Sequence, residues 1–581
     1  MLLRHPWRIL ILLILVVLVV LGVYLGYLSY RINQELDAVQ ADAKQFRAAV
    51  VKGDRTQTTL ALTQLRADSE SASGHTGSPL WRLAGHLPVV GDDARGVRTA
   101  AEVIDDLSHH GLGELADSAT RLRTAVPTNG RVDVEAVARL QAPVADGATA
   151  LDTAETRLDR EDPSGYVGKL KEKYRFLQAE VTAASDVLSS ANTAVKVLPT
   201  MLGQHGPKNY LLIVQNNAEI RATGGLPGAV SLVRADRGKL SMVKQVAGAD
   251  FGDTDTPVLP LSKAERQVYG DQLGTYFLDA NFTPDFARSS ALWKARWDQT
   301  QREKVDGVLS LDPVTLSYLL KATGPLKAGG VRLDAHNAVK TLLSDVYARY
   351  PDPAVQDGFF RGVAAAIFDK VATSPGDPQA LLAGLARGAR EHRVYVHSFD
   401  PAVQEQLDGS AVAGRLATKT GPNPQVSVTV NDTTGAKMSY YLRYDVGASA
   451  TYCTKGVQGL TGSMRFRSVA PADAGKSLPE TVTGGGKYGI EPGNQLDTVR
   501  LYGPVGGKIE KITMNGKPVD VFRFHIGDRP VAMFYVQLEP GQTVDYGWTM
   551  TSGKGQTGDS DLWTTPTVAS ASASGSVASA C

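Results

Sequence analysis

From Ile9 to Leu28 the chain reads ILILLILVVLVVLGVYLGYL, about twenty positions without a charge. At 1.5 Å rise per residue such a helix spans a hydrocarbon core of about 30 Å. A cleaved secretory signal carries an apolar core of about 7 to 15 residues and ends at small residues. Here the run closes on Tyr27, Leu28 and Tyr30. The pattern therefore predicts a retained transmembrane helix over residues 9–29. Arg4 and Arg8 precede it, whereas Arg31 is offset by Glu35 and Asp37, so the positive-inside bias places residues 1–8 in the cytoplasm and the bulk outside.

The rest has the composition of a chain that folds in water. Of 581 residues, 43% are hydrophobic and 21% charged, which excludes wholesale disorder and a polytopic membrane bundle. The 61 Lys and Arg against 60 Asp and Glu give a net charge of +1, so the basic excess required by a nucleic-acid partner is missing. The two cysteines, Cys453 and Cys581, allow one intramolecular bridge, closing a loop of about 128 residues. They are too far apart for a zinc motif.

Past the apolar run, Ile32, Leu36, Val39, Ala43, Phe46 and Val50 recur at alternating spacings of four and three, the rhythm of a helix with a narrow apolar seam. The same rhythm covers Val167 to Leu198 and is expected to stop before Pro199. Two further helices are expected over Val103–Val126 and Val134–Leu158, and a Ser- and Gly-rich linker over Ser69–Pro79. Short breaks favour neighbours that fold back, so residues 30–205 read as an antiparallel helical bundle or stalk, with a parallel dimeric coiled coil as the alternative. The oligomeric state is not written in the sequence.

After Pro207 the pattern changes to short apolar runs at Tyr210–Val214, Ala229–Val233 and Leu240–Val243, which are strand candidates. The loop after the first, NNAEIRATGG from Asn216 to Gly225, gathers amides, Arg221 and glycines where a strand has ended. Such a loop suits either an anion, with Arg221 as a forked donor, or a tight turn with a packing arginine. DANFTPDF from Asp279, VDGVLSLDP from Val305 and Thr323-Gly-Pro325 follow in order. With these motifs the stretch Lys208–Pro325 resembles DUF4012, a family of unknown function among actinobacterial membrane-anchored proteins. That resemblance implies an extracytoplasmic protein of the cell envelope.

The layout is also similar to the LytR-CpsA-Psr phosphotransferases, which move cell-wall polymers from polyprenyl-pyrophosphate carriers onto peptidoglycan. This resemblance implies an α/β domain in which Arg221, Arg349 and Arg361 hold pyrophosphate, while Asp250 and Asp357 hold Mg2+. Cations on a leaving group and carboxylates on a metal are what pyrophosphate transfer needs. The sequence departs from that pattern where Thr223 and Gly224 replace a metal-binding aspartate and Ala249 replaces an arginine. These departures favour a non-catalytic binding or assembly role towards a cell-wall polymer or polyprenyl-linked glycan over transfer. Transfer further requires the arginines and carboxylates to converge on one pocket with an apolar channel.

From about Arg393 the helix signals fade and alternation appears, for example at Gln425–Val430, Ser439–Val446 and Ala532–Leu538, with a turn at Asn515-Gly516. The expected organisation is a cytoplasmic segment 1–8, a membrane helix 9–29, a helical stalk 30–205, a central α/β domain 206–392, an antiparallel β-sandwich 393–568 and an Ala- and Ser-rich tail 569–581. The tail is expected to be disordered unless Cys581 ties it back.

Overall fold

The computed structural model describes residues 30–32, 34–50, 54–88, 90–113, 126–374, 376–569 and 575–581. The membrane helix expected at 9–29 lies outside these residues. Among the described residues no helix is long and apolar enough to cross a membrane. The chain forms two compact units, one from residues up to 125 together with 133–199, the other from 126–132 together with 200–581.

The first unit is helical. Its helices include Arg55–Thr76, Gly91–Asp106, Gln141–Asp159 and Gly168–Met201, which continues into the second unit. Consecutive members run antiparallel: Arg66 Nε donates to the carbonyl of Ser108, Thr99 Oγ1 donates to Glu161, and Tyr174 donates to the carbonyl of Leu158. The expected linker Ser69–Pro79 is instead helical up to Thr76. Its Ser69, Ala72 and Thr76 continue the buried stripe of Leu62 and Leu65. Small residues suit this close approach, and Ser69 Oγ lies 3.0 Å from Ser108 Oγ. Pro199 does not end its helix either, which reaches Met201. Proline removes the N–H that would meet the carbonyl four residues back, at Val195. Gln141 Nε2 donates to that carbonyl at 2.9 Å.

The second unit holds two sheet systems. The first has the order β3-β2-β1-β4-β7, from β1 (Lys208–Asn216), β2 (Leu226–Asp236), β3 (Lys239–Ala247), β4 (Gly307–Leu311) and β7 (Tyr395–Ser398). Strands β1 and β4 are parallel, and the other pairs are antiparallel. Between β4 and β7 come a small hairpin of β5 (Leu326–Ala328) and β6 (Val331–Leu333) and the helices Pro313–Thr323, Pro353–Thr373 and Pro378–Arg390. The expected boundary at 392/393 falls in a different place, because Tyr395–Ser398 pairs with β4 as the edge of this sheet.

The sandwich comprises β8 (Gln425–Asp432), β9 (Leu442–Thr454), β10 (Val457–Ser468), β11 (Gln495–Tyr502), β12 (Lys508–Met514), β13 (Lys517–Pro518), β14 (Phe522–Ile526), β15 (Arg529–Leu538), β16 (Thr543–Thr551), β17 (Ser560–Thr564) and β18 (Gly575–Val577). One sheet has the order β13-β12-β16-β10-β9 and the other β14-β15-β11-β8-β17-β18. Inward side chains of both, including Val428, Phe466, Val499 and Trp548, share one core. The sandwich is not wholly antiparallel, because β17 runs parallel to β8. A parallel neighbour requires a crossover, supplied here by the long path through the other sheet. The hairpin loops Arg237-Gly238, Lys455-Gly456 and Asn515-Gly516 all hold positive φ, the geometry that matches strand twist.

Asp312, from the VDGVLSLDP motif, caps the helix Pro313–Thr323 through the N–H of Thr315 and accepts from Arg393 Nη1 at 2.7 Å. Arg393, fully buried, also donates to the carbonyls of Thr567 and Ala569. Residues 575–581 are likewise tied down. Strand β18 pairs with β17, and Cys453 is bonded to Cys581 across a separation of 128 residues. Replacing Cys581 by Ser is expected to lower stability by about 2–4 kcal/mol, because the unfolded chain gains loop freedom. Denaturant unfolding measures this loss, and hydrogen exchange at 575–577 should rise with it. Unchanged stability and protection would show that the bridge constrains nothing.

Candidate functional site

The loop Asn216–Gly225 is held by hydrogen bonds that leave little of its backbone free. Ala222 N–H donates to Asn431 Oδ1 at 2.8 Å, Ile220 N–H to Ser439 Oγ at 3.2 Å, and the Ala222 carbonyl accepts from Thr565 Oγ1. Asn281, from DANFTPDF, donates through Nδ2 to Gln215, Thr223 and the Gly225 carbonyl. A Cβ at Gly225 would meet the Asn216 carbonyl carbon at 2.2 Å, so only glycine fits that close approach. The first two motifs are therefore interlocked, and Thr223 is spent as a buried hydroxyl donating to Gln215 at 2.9 Å.

Arg221 stands at the centre of this knot and is only 4% exposed. Its Nε and Nη2 donate to Asp279 Oδ1 at 3.2 and 3.1 Å, Nη2 also reaches Glu219 Oε1 at 3.0 Å, and Nη1 donates to the Ile220 carbonyl. The guanidinium lies 5.0 Å from the Phe282 ring centroid. Lys437, from the segment after β8, donates to Glu219 Oε2 at 3.3 Å. Burial alone works to raise the Glu219 carboxyl, but Lys437 and Arg221 hold it below the ordinary value. Asp279 is raised by burial, with Arg221 opposing. Asp432 is pushed up to about 7, by burial first and by the Glu219 charge next, again against Arg221. Its cross-strand neighbour Asp497 is raised further by burial and by Asp432.

This knot forms part of the wall of a cavity of about 980 Å³. Glu219, Arg221, Asp279, Asp432 and Lys437 line it, together with Arg500 and Tyr535 from the six-stranded sheet. The opposite character comes from helices. Leu316 and Leu319 of Pro313–Thr323 and Phe360, Val363, Ala364 and Ile367 of Pro353–Thr373 line the same space. The apolar face of Pro353–Thr373 is thus partly turned to a void instead of to a filled core.

The residues singled out by sequence are dispersed unequally. Arg221 and Asp357 line the cavity. Asp357 is raised by burial, opposed by the Arg361 guanidinium and reinforced by Asp250. Asp250 itself is exposed and accepts from the Ala247 N–H. Arg349 is exposed at the end of the short helix Val346–Arg349 and lies off the cavity wall. Among the described residues no three His, Cys, Asp or Glu side chains gather as a metal site. Sequence reasoning passed over Lys437, Asp432 and Arg500. Each sits in or beside a strand of the sandwich, where alternation gave no hint of a neighbouring cavity.

Residues 205–347 match the model of a protein family described as a protein of unknown function, DUF4012. The resemblance carried by NNAEIRATGG, DANFTPDF and VDGVLSLDP therefore holds for this region. No curated protein and no solved structure matches the chain.

Two expectations follow from the buried charges. Arg221→Ala leaves Glu219 and Asp279 without their shared cation and should cost about 3–5 kcal/mol in urea unfolding. A loss below about 1 kcal/mol is what a dispensable surface pair would give. For Asp432 the folded value is raised above the ordinary 3.8, so its contribution favours the folded state at low pH and is lost as pH rises through about 7. The stability difference between wild type and Asp432→Asn should therefore move in favour of the variant between about pH 4 and 7 and level off above that. A difference that does not change with pH would contradict a neutral carboxyl at this position.

Proposed function

We propose that the protein is a cell-envelope protein, anchored by the apolar segment 9–29, whose extracytoplasmic part binds an amphiphile carrying an envelope polymer or glycan and does not turn it over. The observation that carries this reading is the cavity of about 980 Å³, with an apolar helical wall on one part and polar and charged groups on another. A space of this size and mixed lining suits a ligand with an aliphatic chain and a polar head. Burying such a chain contributes about 0.8 kcal/mol per methylene, so even a few isoprene units give substantial binding.

The non-catalytic form is preferred because Arg221 is already neutralised. Four of its five N–H groups are directed at protein oxygens through three nitrogens, and of its carboxylate partners Glu219 is buried with it and Asp279 is partly buried. A pyrophosphate would have to compete with Asp279 and Glu219 for this guanidinium. The second reading, a LytR-CpsA-Psr-like transfer of a glycopolymer with Mg2+, is favoured by Asp357, which lines the cavity and feels the charges of Arg361 and Asp250.

The test is binding of a polyprenyl phosphate to the full chain in detergent, with Ala364→Trp as the variant. Trp at 364 fills the apolar part of the cavity, so affinity should fall at least about tenfold while the melting temperature stays within a few degrees. Equal affinity in the two proteins would place the ligand elsewhere. Turnover of a polyprenyl-pyrophosphate-linked glycan that needs Mg2+ and is lost in Asp357→Asn would instead favour the transferase.

A further inference from the structure

Arg500 projects from β11 on the face of the six-stranded sheet that meets the cavity. It is 5% exposed, yet among the described residues no carboxylate pairs with it. Its Nε donates to the Val268 carbonyl at 3.1 Å, and its guanidinium lies 5.2 Å from the Tyr269 ring centroid. Its Nη1 is buried and has no hydrogen-bond partner.

The other cations in the cavity wall are already matched. Arg221 has Glu219 and Asp279, Arg266 has Asp271, and Lys437 has Glu219. A buried guanidinium without a counter-charge is costly, and the cost is removed when an anion arrives in a geometry that takes up its free N–H groups. Around it the wall supplies further polar contacts. Thr498 lies two residues away on the same strand face, and Tyr535 is its cross-strand neighbour, both lining the cavity. The carbonyl and ring contacts hold the guanidinium at the wall before any ligand binds, so its unpaired N–H groups are fixed in place for a phosphate or carboxylate.

We infer that Arg500, and not Arg221, receives the anionic head of the cavity's ligand, a phosphate or carboxylate borne on an apolar chain. This rests on the reading of the cavity as an amphiphile site. It assigns the head-group position to the sandwich and the chain position to the helices Pro313–Thr323 and Pro353–Thr373. The recognition of charge and the recognition of chain length are then separate properties of two parts of one unit.

The experiment measures binding of three probes to the full chain in detergent: a polyprenyl monophosphate, the polyprenol of equal chain length, and palmitate. Wild type is expected to prefer the monophosphate over the alcohol by about tenfold or more, the scale of a charge-assisted hydrogen bond. Arg500→Gln should abolish that preference, bringing monophosphate affinity down to the level of the polyprenol, and Arg500→Lys, which keeps the charge, should retain part of it. Palmitate binding that falls with Arg500→Gln identifies a carboxylate as a second acceptable head, and palmitate that does not bind narrows the head to phosphate. A phosphate-to-alcohol ratio unaltered in Arg500→Gln overturns the Arg500 assignment while leaving the cavity reading intact. Failure of wild type to bind any of the three overturns both. Melting curves of the variants and the polyprenol arm keep a loss of fold distinct from a loss of charge recognition.

Discussion

A guanidinium almost wholly out of water holds the second unit together. Arg221 reaches Asp279 on one side and Glu219 on the other, and Glu219 in turn accepts from Lys437 beyond β8. Three stretches far apart in sequence are joined by these bonds: the loop after β1, the segment around DANFTPDF, and the start of the sandwich. Buried ions are a poor source of net stability, but removing one member leaves the rest uncompensated, so the set stays or fails as a unit. What it maintains is a cavity wall that is polar and rigid next to one that is apolar and helical.

This arrangement changes what the NNAEIRATGG loop is for. A glycine-containing loop with an arginine after a strand suggests an anion cradle, but here the Ala222 and Ile220 N–H groups are turned to Asn431 and Ser439. Anion recognition is better served by a cation that the protein has not already neutralised. Arg500 has that property, whereas Arg221 stabilises the wall. The division resembles that in many ligand sites, where a few buried polar groups fix orientation and a larger apolar surface supplies affinity.

Much of the architecture was legible in the sequence because it rests on local rules. The four-and-three rhythm marked the helix Gly168–Met201, Asn515-Gly516 marked a hairpin, and strand alternation marked the sandwich. Val134–Leu158 holds two helices, whereas Arg55–Thr76 and Gly91–Asp106 were not marked, and residues 114–125 of the helix expected over Val103–Val126 lie outside the described residues. The failures have definite causes. Ser69 to Thr76 looked like a linker by composition, yet small residues are what a close helix contact requires. Pro199 looked like a stop, but Gln141 satisfies the carbonyl that proline leaves free. At the site, Phe360, Val363, Ala364 and Ile367 recur at helical spacing, but periodicity cannot tell a face against core from one against a void. Arg500 was hidden for a different reason: within Val499-Arg-Leu-Tyr502 an alternating polar residue reads as solvent-facing, and only the packing of residues 266–272 over that sheet makes it buried.

The central claim is that the cavity exists to be filled by an amphiphile. The most direct test is native mass spectrometry of the full chain purified in mild detergent from membranes in which it is made. The account predicts a population heavier than the polypeptide by the mass of one amphiphile, released on collisional activation and identified by fragmentation as an anionic head on an aliphatic chain. A polypeptide mass alone, persisting after incubation with polyprenyl phosphate, would contradict it.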